Sequence, residues 1–203
     1  MPASPERAAP GPLDPRRPAG AELLERAVGY TRGCLQLVPG TPSDARTPCE
    51  RWDLRTLLRH MDDALAVVTD AAEVGYVDLV PVPTAGELPL LVERLRQRAC
   101  ALLAAWSEHP GTGEVTVAGH PLRTDLLAAA GSLEIAVHGW DVAQACGVDR
   151  PVPAALALDL LDVVPLLVTE ADRPARFAPR VDVPVHARPS TRLLAALGRR
   201  ASG

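Results

Sequence analysis

The sequence predicts an all-α protein, specifically an antiparallel four-helix bundle with a short β-arm and appended C-terminal helices. Three observations favour this class. Alanine- and leucine-rich segments recur at helical spacing, aromatic residues make up only 3% of the chain, and hydrophobic residues make up 47% of its 203 positions. This composition supports one sizeable core and favours packing of helices over packing of β-sheets.

The first three helices are predicted from apolar residues that recur every three to four positions. We expect them at about 20–37, 52–73 and 86–106. Asp53 should cap helix 2, because an aspartate side chain accepts the free N–H groups at a helix start. Thr47 and Glu50 upstream offer a capping-box pattern.

The second half of the chain predicts a short β-arm and three further helices. The stretch "EVTVAG" alternates as a strand does, and helix 4 follows at about 121–146. Gly147 is expected to end helix 4, since glycine is favoured just beyond helix C-termini. Helix 5 is expected at about 153–169, and a short closing helix at 191–200.

Composition also bounds the domains and the partners. Residues 1–19 are rich in proline, alanine and arginine, which predicts a disordered tail before a single domain at 20–203. A net charge of −4 without a basic stripe argues against a nucleic-acid partner. No apolar run reaches the roughly 20 residues of a membrane span. Four scattered cysteines and no signal peptide predict a cytoplasmic protein with reduced thiols, a monomer or a homodimer.

Helix 4 carries Glu134 and His138 within an apolar run. The two residues are four apart and share one helix face, while His60 falls on the apolar face of helix 2. A buried carboxylate is costly unless it is paired. A divalent metal held by His60, Glu134 and His138 would relieve that cost, and an ordinary buried polar cluster is the alternative. Gly131 and Gly139 each weaken helix 4 by about 1 kcal/mol against alanine, which predicts a close approach of other atoms at these positions.

Three further residues are candidates for a role in catalysis or binding. Asp141, three positions after His138, would orient that ligand or act as a base, or else lie on the surface beside an arginine. Arg59 would meet an anionic substrate or the carboxylate of a thiol cosubstrate, or else be solvated. Cys49 precedes helix 2, whose positive end could activate it, with an inert packed thiol as the alternative.

Two blocks carry a resemblance to a known family. "TPCERWDLRTLLRHMDD" holds Trp52 and His60, and "LEIAVHGWDVAQACG" holds Glu134, His138 and Asp141. Together they resemble the DinB/YfiT-like metalloprotein superfamily, and within it the short, single-domain form of the actinobacterial mycothiol-dependent maleylpyruvate isomerase-like branch. The resemblance implies a DinB-like bundle with a metal at one end of its interior, held by His60, Glu134 and His138. It also implies that the thiol mycothiol acts beside the metal.

The expected function is therefore that of a metal-dependent enzyme. Three protein ligands leave open coordination positions, as catalytic sites do. Zn²⁺ is the first expectation for two imidazoles and a carboxylate, with Ni²⁺, Fe²⁺, Co²⁺ or Mn²⁺ also compatible. Activation of a thiol would give an isomerase or S-transferase for a small electrophilic metabolite, and activation of water would give a hydrolase. A non-catalytic metal- or small-molecule-binding bundle is the alternative.

Overall fold

The computed structural model describes the chain in five stretches, 20–49, 52–77, 86–108, 113–174 and 176–201. The predicted tail at 1–19 and Glu50 of the predicted capping box lie outside these stretches.

Four long helices form the body of the protein, as predicted. They are α1 (Gly20–Leu35), α2 (Leu54–Val74), α3 (Leu88–Glu108) and α4 (Thr124–Ala145). Helix α1 packs mainly on α4, and α2 packs on both α3 and α4. Their apolar faces meet in one core, whose largest fully buried side chains include Trp106 and Trp140. No helix in the described stretches has the length and apolarity to cross a membrane.

The start of α2 is held by two side chains. Asp53 accepts a hydrogen bond from the backbone N–H of Thr56 at 2.8 Å, so the predicted cap is confirmed. Thr47 holds the preceding loop, because its hydroxyl donates to the carbonyl of Trp52 at 2.7 Å and accepts from the N–H of Cys49 at 3.2 Å. These bonds fix where Cys49 and Trp52 lie relative to the helix.

The β-arm is a three-stranded sheet in the order β1 (Tyr76–Val77), β2 (Glu114–Val117) and β3 (His120–Arg123). Strand β1 runs parallel to β2, and β3 runs antiparallel to it. The prediction that helix 4 begins at 121 was wrong. Ala118 and Gly119 have positive φ angles of 48° and 80° and fold the chain back, so residues 121–123 pair with β2 before the helix can begin.

The C-terminal part adds α5 (Ala154–Leu167), a single 3₁₀ turn (Glu170–Asp172) and α6 (Pro189–Ala196). The closing helix starts and ends earlier than predicted. Pro189 stands in its first turn, where its missing N–H costs nothing. Gly198 has a φ of +79°, so the chain leaves the helix there and Arg199 turns back toward the bundle.

The two mid-helix glycines of α4 mark close contacts, as predicted. A Cβ added at Gly131 would lie 2.9 Å from Cγ2 of Val68 on α2. A Cβ added at Gly139 would lie 2.5 Å from Oγ1 of Thr31 on α1. Glycine at these positions therefore lets α1 and α2 approach the helix that carries the candidate ligands.

Candidate metal centre

Helices α2 and α4 bring His60, Glu134 and His138 together. Oε2 of Glu134 lies 3.2 Å from Nε2 of His138 and 3.5 Å from Nε2 of His60. One donor atom from each residue lies within 4.8 Å of the others. The side chains of His60 and Glu134 are each 36% exposed, whereas that of His138 is 8% exposed. The group therefore has a buried inner side and an accessible outer side.

The indole of Trp52 lies against both imidazoles. Its centroid is 4.5 Å from that of His60 and 5.7 Å from that of His138. Because Thr47 fixes the backbone at Trp52, the indole restricts the orientation of His60. This contact gives Trp52 a physical role beside the site.

Behind His138 lies a buried charged pair. Nδ1 of His138 lies 2.8 Å from Oδ2 of Asp141, whose carboxylate is fully buried. Arg199 donates to the same carboxylate, from Nε to Oδ1 at 2.9 Å and from Nη2 to Oδ2 at 2.8 Å. The alternative that Asp141 lies on the surface is therefore wrong, although the residue does pair with an arginine.

Cys49 contacts both members of this charged pair and is itself partly buried. Its Sγ lies 3.4 Å from Oδ2 of Asp141 and 3.4 Å from Nη2 of Arg199. Donor atoms of Cys49, His138 and Asp141 also lie within 4.8 Å of one another. His138 thus belongs to two groups of possible metal ligands.

An open cleft of about 700 Å³ reaches the outer side of the three predicted ligands. Pro48, Cys49, Trp52, His60 and residues of α4 form part of its lining. The remainder, which we call the C-terminal lining, consists of residues 174, 176–179 and 197–199. A small molecule can therefore approach His60, Glu134 and His138 directly from solvent.

Comparison with known families places the chain in one of them. Residues 24–143 match the model of the mycothiol maleylpyruvate isomerase N-terminal domain, a span of more than half the chain. The chain belongs to this family. No curated protein and no solved structure matches the chain. The resemblance drawn from the two sequence blocks is thereby confirmed.

The matched span of the isomerase N-terminal domain family includes the three predicted ligands and Asp141. It does not include Arg199 or the rest of the C-terminal lining. Arg199 was missed in the sequence because it lies in an arginine-rich end with no spacing relation to α4. Only the turn at Gly198 brings it to Asp141.

The electrostatics around His60, Glu134 and His138 suit a cation. Burial alone would raise the pKa of Glu134, but hydrogen bonds from His138 and His60 hold that pKa well below its ordinary range. Burial also acts to raise the pKa of Asp141, yet Arg199 and His138 outweigh it and lower the pKa to about 2. Burial would lower the pKa of His138, but its carboxylate partners raise it well above the ordinary value. Two carboxylates thus flank the imidazole of His138 and favour a positive charge there, which a metal ion could supply.

The donor set fits a divalent metal in this member of the family. Two imidazole nitrogens and one carboxylate oxygen converge from two helices, and the cleft leaves one side open for further ligands. Nδ1 of His138 lies 2.8 Å from Oδ2 of Asp141, so Nε2 is the nitrogen that would be available to a metal ion, as is common for ligand histidines.

Arg59 takes a different position from the other candidates. It precedes His60 on α2, but the described residues that line the cleft do not include it. Its Nε is buried and has no hydrogen-bond partner among the described residues. Its role with an anionic substrate stays a prediction.

Proposed function

We propose that the chain is a divalent-metal-dependent enzyme that uses a low-molecular-weight thiol, mycothiol, as an isomerase or S-transferase for a small electrophilic metabolite. The observation that carries the proposal is the convergence of His60, Glu134 and His138 on the floor of an open cleft of about 700 Å³. Membership in the isomerase N-terminal domain family supports the choice of thiol.

His60, Glu134 and His138 would hold the metal, and Zn²⁺ suits this donor set best, with Ni²⁺, Fe²⁺, Co²⁺ and Mn²⁺ as the other candidates. When bound, the metal would lower the pKa of a thiol so that it reacts as a thiolate. Addition of the thiolate to an activated double bond would give a carbanion, which would either expel the thiolate after rotation or keep it and take up the proton that the thiol released.

The chain's own residues would orient the reactants. Asp141 accepts the Nδ1–H of His138 and holds this imidazole in one orientation. Trp52 presents an apolar surface beside His60. Phe177 of the C-terminal lining is partly buried against the core and adds a second apolar side chain to the same cleft. Together they would exclude water from a small unsaturated substrate.

The open cleft favours an enzyme over the non-catalytic alternative. A module that only stores a metal would need no access to the outer side of the ligands, yet the side chains of His60 and Glu134 are each 36% exposed. A hydrolase would use the same ligands, and it is distinguished from the thiol-dependent enzyme by whether activity requires the thiol.

The first experiment measures metal content. Wild type, Glu134→Ala and His60→Ala are purified and analysed by plasma mass spectrometry, with His120→Ala as the control because His120 is exposed on β3. We expect about one metal ion per chain in wild type and the control, and loss in the two ligand variants. Full occupancy in Glu134→Ala would refute the ligand assignment.

The second experiment tests the reaction. Metal-loaded protein is mixed with an unsaturated keto acid that has a cis double bond, with and without mycothiol, and geometry and thiol content are followed. Change of geometry at constant thiol indicates isomerisation, and loss of thiol indicates S-transfer. Cleavage of the substrate by water without any thiol would favour the hydrolase, and no turnover under any condition would favour the binding module.

A further inference from the structure

His138 stands between two groups of potential ligands. Its Nε2 faces Oε2 of Glu134 at 3.2 Å, in the group completed by His60. Its Nδ1 faces Oδ2 of Asp141 at 2.8 Å, in the group completed by Cys49. The second group offers a thiol, an imidazole and a carboxylate, which is also a donor set that divalent zinc and cobalt bind well. Residue types alone therefore do not decide which side of His138 takes the metal.

Arg199 distinguishes the two sides. Its guanidinium lies 2.8 Å from Asp141 and 3.4 Å from the sulfur of Cys49, so it contacts two of the three donors on the Nδ1 side. The side chain is only 11% exposed. A guanidinium keeps its charge in proteins, so it places a permanent positive charge where a metal ion would have to sit.

We propose that Arg199 is a positioning residue that keeps the metal on the Nε2 side of His138. It engages Asp141, which then accepts the Nδ1–H of His138, and its charge repels a cation from Cys49 and Asp141. The inference rests on the proposed metal site, because it concerns which donors that metal uses.

The backbone conformation at Gly198 allows Arg199 to reach this position. Gly198 has a φ of +79°, and a Cβ there would lie 2.6 Å from both Cβ and the carbonyl oxygen of Ala178. Gly198, Ala178 and Arg199 all belong to the C-terminal lining of the cleft. The segment that walls the cleft thus also sets the ligand choice, although it lies outside the matched family span of 24–143.

Removal of the positive charge of Arg199 should make the group of Cys49, His138 and Asp141 available to a metal ion. Without a cation beside them, Cys49 and Asp141 would be free to bind the metal together with Nδ1 of His138. Coordination by a thiolate has a direct optical signature with Co²⁺, an intense sulfur-to-cobalt charge-transfer band. Oxygen and nitrogen ligands do not produce that band, so it reports which group holds the metal.

The test uses Co²⁺ titrations of the full chain followed by absorption spectroscopy. Arg199→Gln keeps an amide donor for Asp141 and removes the charge, and Arg199→Lys keeps the charge. Arg200→Gln is the matched control, because Arg200 is the exposed neighbour. We expect the charge-transfer band in Arg199→Gln alone among these single variants, and its loss in Arg199→Gln/Cys49→Ser.

The outcomes separate this inference from the proposed function. If wild type and Arg199→Gln bind Co²⁺ with the same spectrum and affinity, Arg199 does not select the ligands, while the metal site itself stands. If wild type binds no metal, both ideas fail.

A second variant covers the case in which Arg199→Gln does not fold. Cys49→Ser in the otherwise wild-type chain should leave the Co²⁺ spectrum and affinity unchanged. If wild type shows a thiolate band that Cys49→Ser removes, the metal already lies on the Nδ1 side and the inference is overturned.

Discussion

Oε2 of Glu134 lies 3.5 Å from Nε2 of His60, although the two residues are carried by different helices. The separation of the candidate ligands is therefore set by how closely α2 approaches α4. Gly131 permits that approach, because any larger residue would meet Val68. Four predictions follow from the contacts around this site.

Gly131→Ala should loosen the site without touching a ligand. Its new Cβ would lie 2.9 Å from Cγ2 of Val68, a stiff branched side chain, so α2 must shift. We expect a loss of about 1–3 kcal/mol in the free energy of unfolding and weaker metal binding. Denaturant unfolding and metal titration measure the two effects.

Two variants control that prediction. Gly29→Ala, where an added Cβ meets nothing within 4 Å, should stabilise the protein by about 1 kcal/mol through helix propensity alone. Val68→Ala in the Gly131→Ala background should recover part of the lost metal affinity. If Gly131→Ala binds metal as tightly as wild type, the spacing of α2 and α4 does not limit the site.

Metal binding should stabilise the wild-type chain and leave Glu134→Ala unaffected. A ligand that binds only the folded state at a hundred times its Kd adds about 2.7 kcal/mol to the free energy of unfolding. Thermal unfolding with Zn²⁺ and with a chelator measures this difference. A Zn²⁺-induced shift of equal size in Glu134→Ala would mean that the ion binds elsewhere.

Replacing Arg199 should lower the free energy of unfolding more than replacing a residue of an exposed ion pair. Arg199→Ala leaves the fully buried carboxylate of Asp141 without its main counter-charge, so we expect a loss of about 3–5 kcal/mol. Arg176→Ala is the control, since the side chain of Arg176 is 68% exposed in its pair with Asp172 and should matter by less than about 1 kcal/mol. Equal effects in urea unfolding would contradict the buried-pair interpretation.

Asp141 should make the metal-free protein sensitive to acid. Its pKa is about 2 in the folded chain and about 4 in an unfolded one, so its carboxylate stabilises the fold above pH 4. That contribution should be lost as the pH falls from about 4 to about 2. We expect the difference in unfolding free energy between wild type and Asp141→Asn to shrink over this range. A difference that stays constant with pH would contradict the assignment.

The helical class and the convergence of His60, Glu134 and His138 could be predicted from local spacing in the sequence. Helical spacing placed Glu134 and His138 on one face of α4 and His60 on the inward face of α2, because a helix turns by a fixed angle per residue. Gly131 and Gly139 in α4 also predicted close contacts. Such features depend on neighbours along the chain, so local rules were sufficient to predict them.

The surroundings of those residues depend on contacts between distant segments of the chain. The start of α4 depended on pairing of 121–123 with β2, and the burial of Asp141 depended on Arg199, which is 58 positions away in the sequence. The C-terminal lining of the cleft likewise could not be predicted from the spacing of residues. These features arise where distant segments meet, and their geometry is fixed by packing and charge pairing in the folded chain rather than by local periodicity.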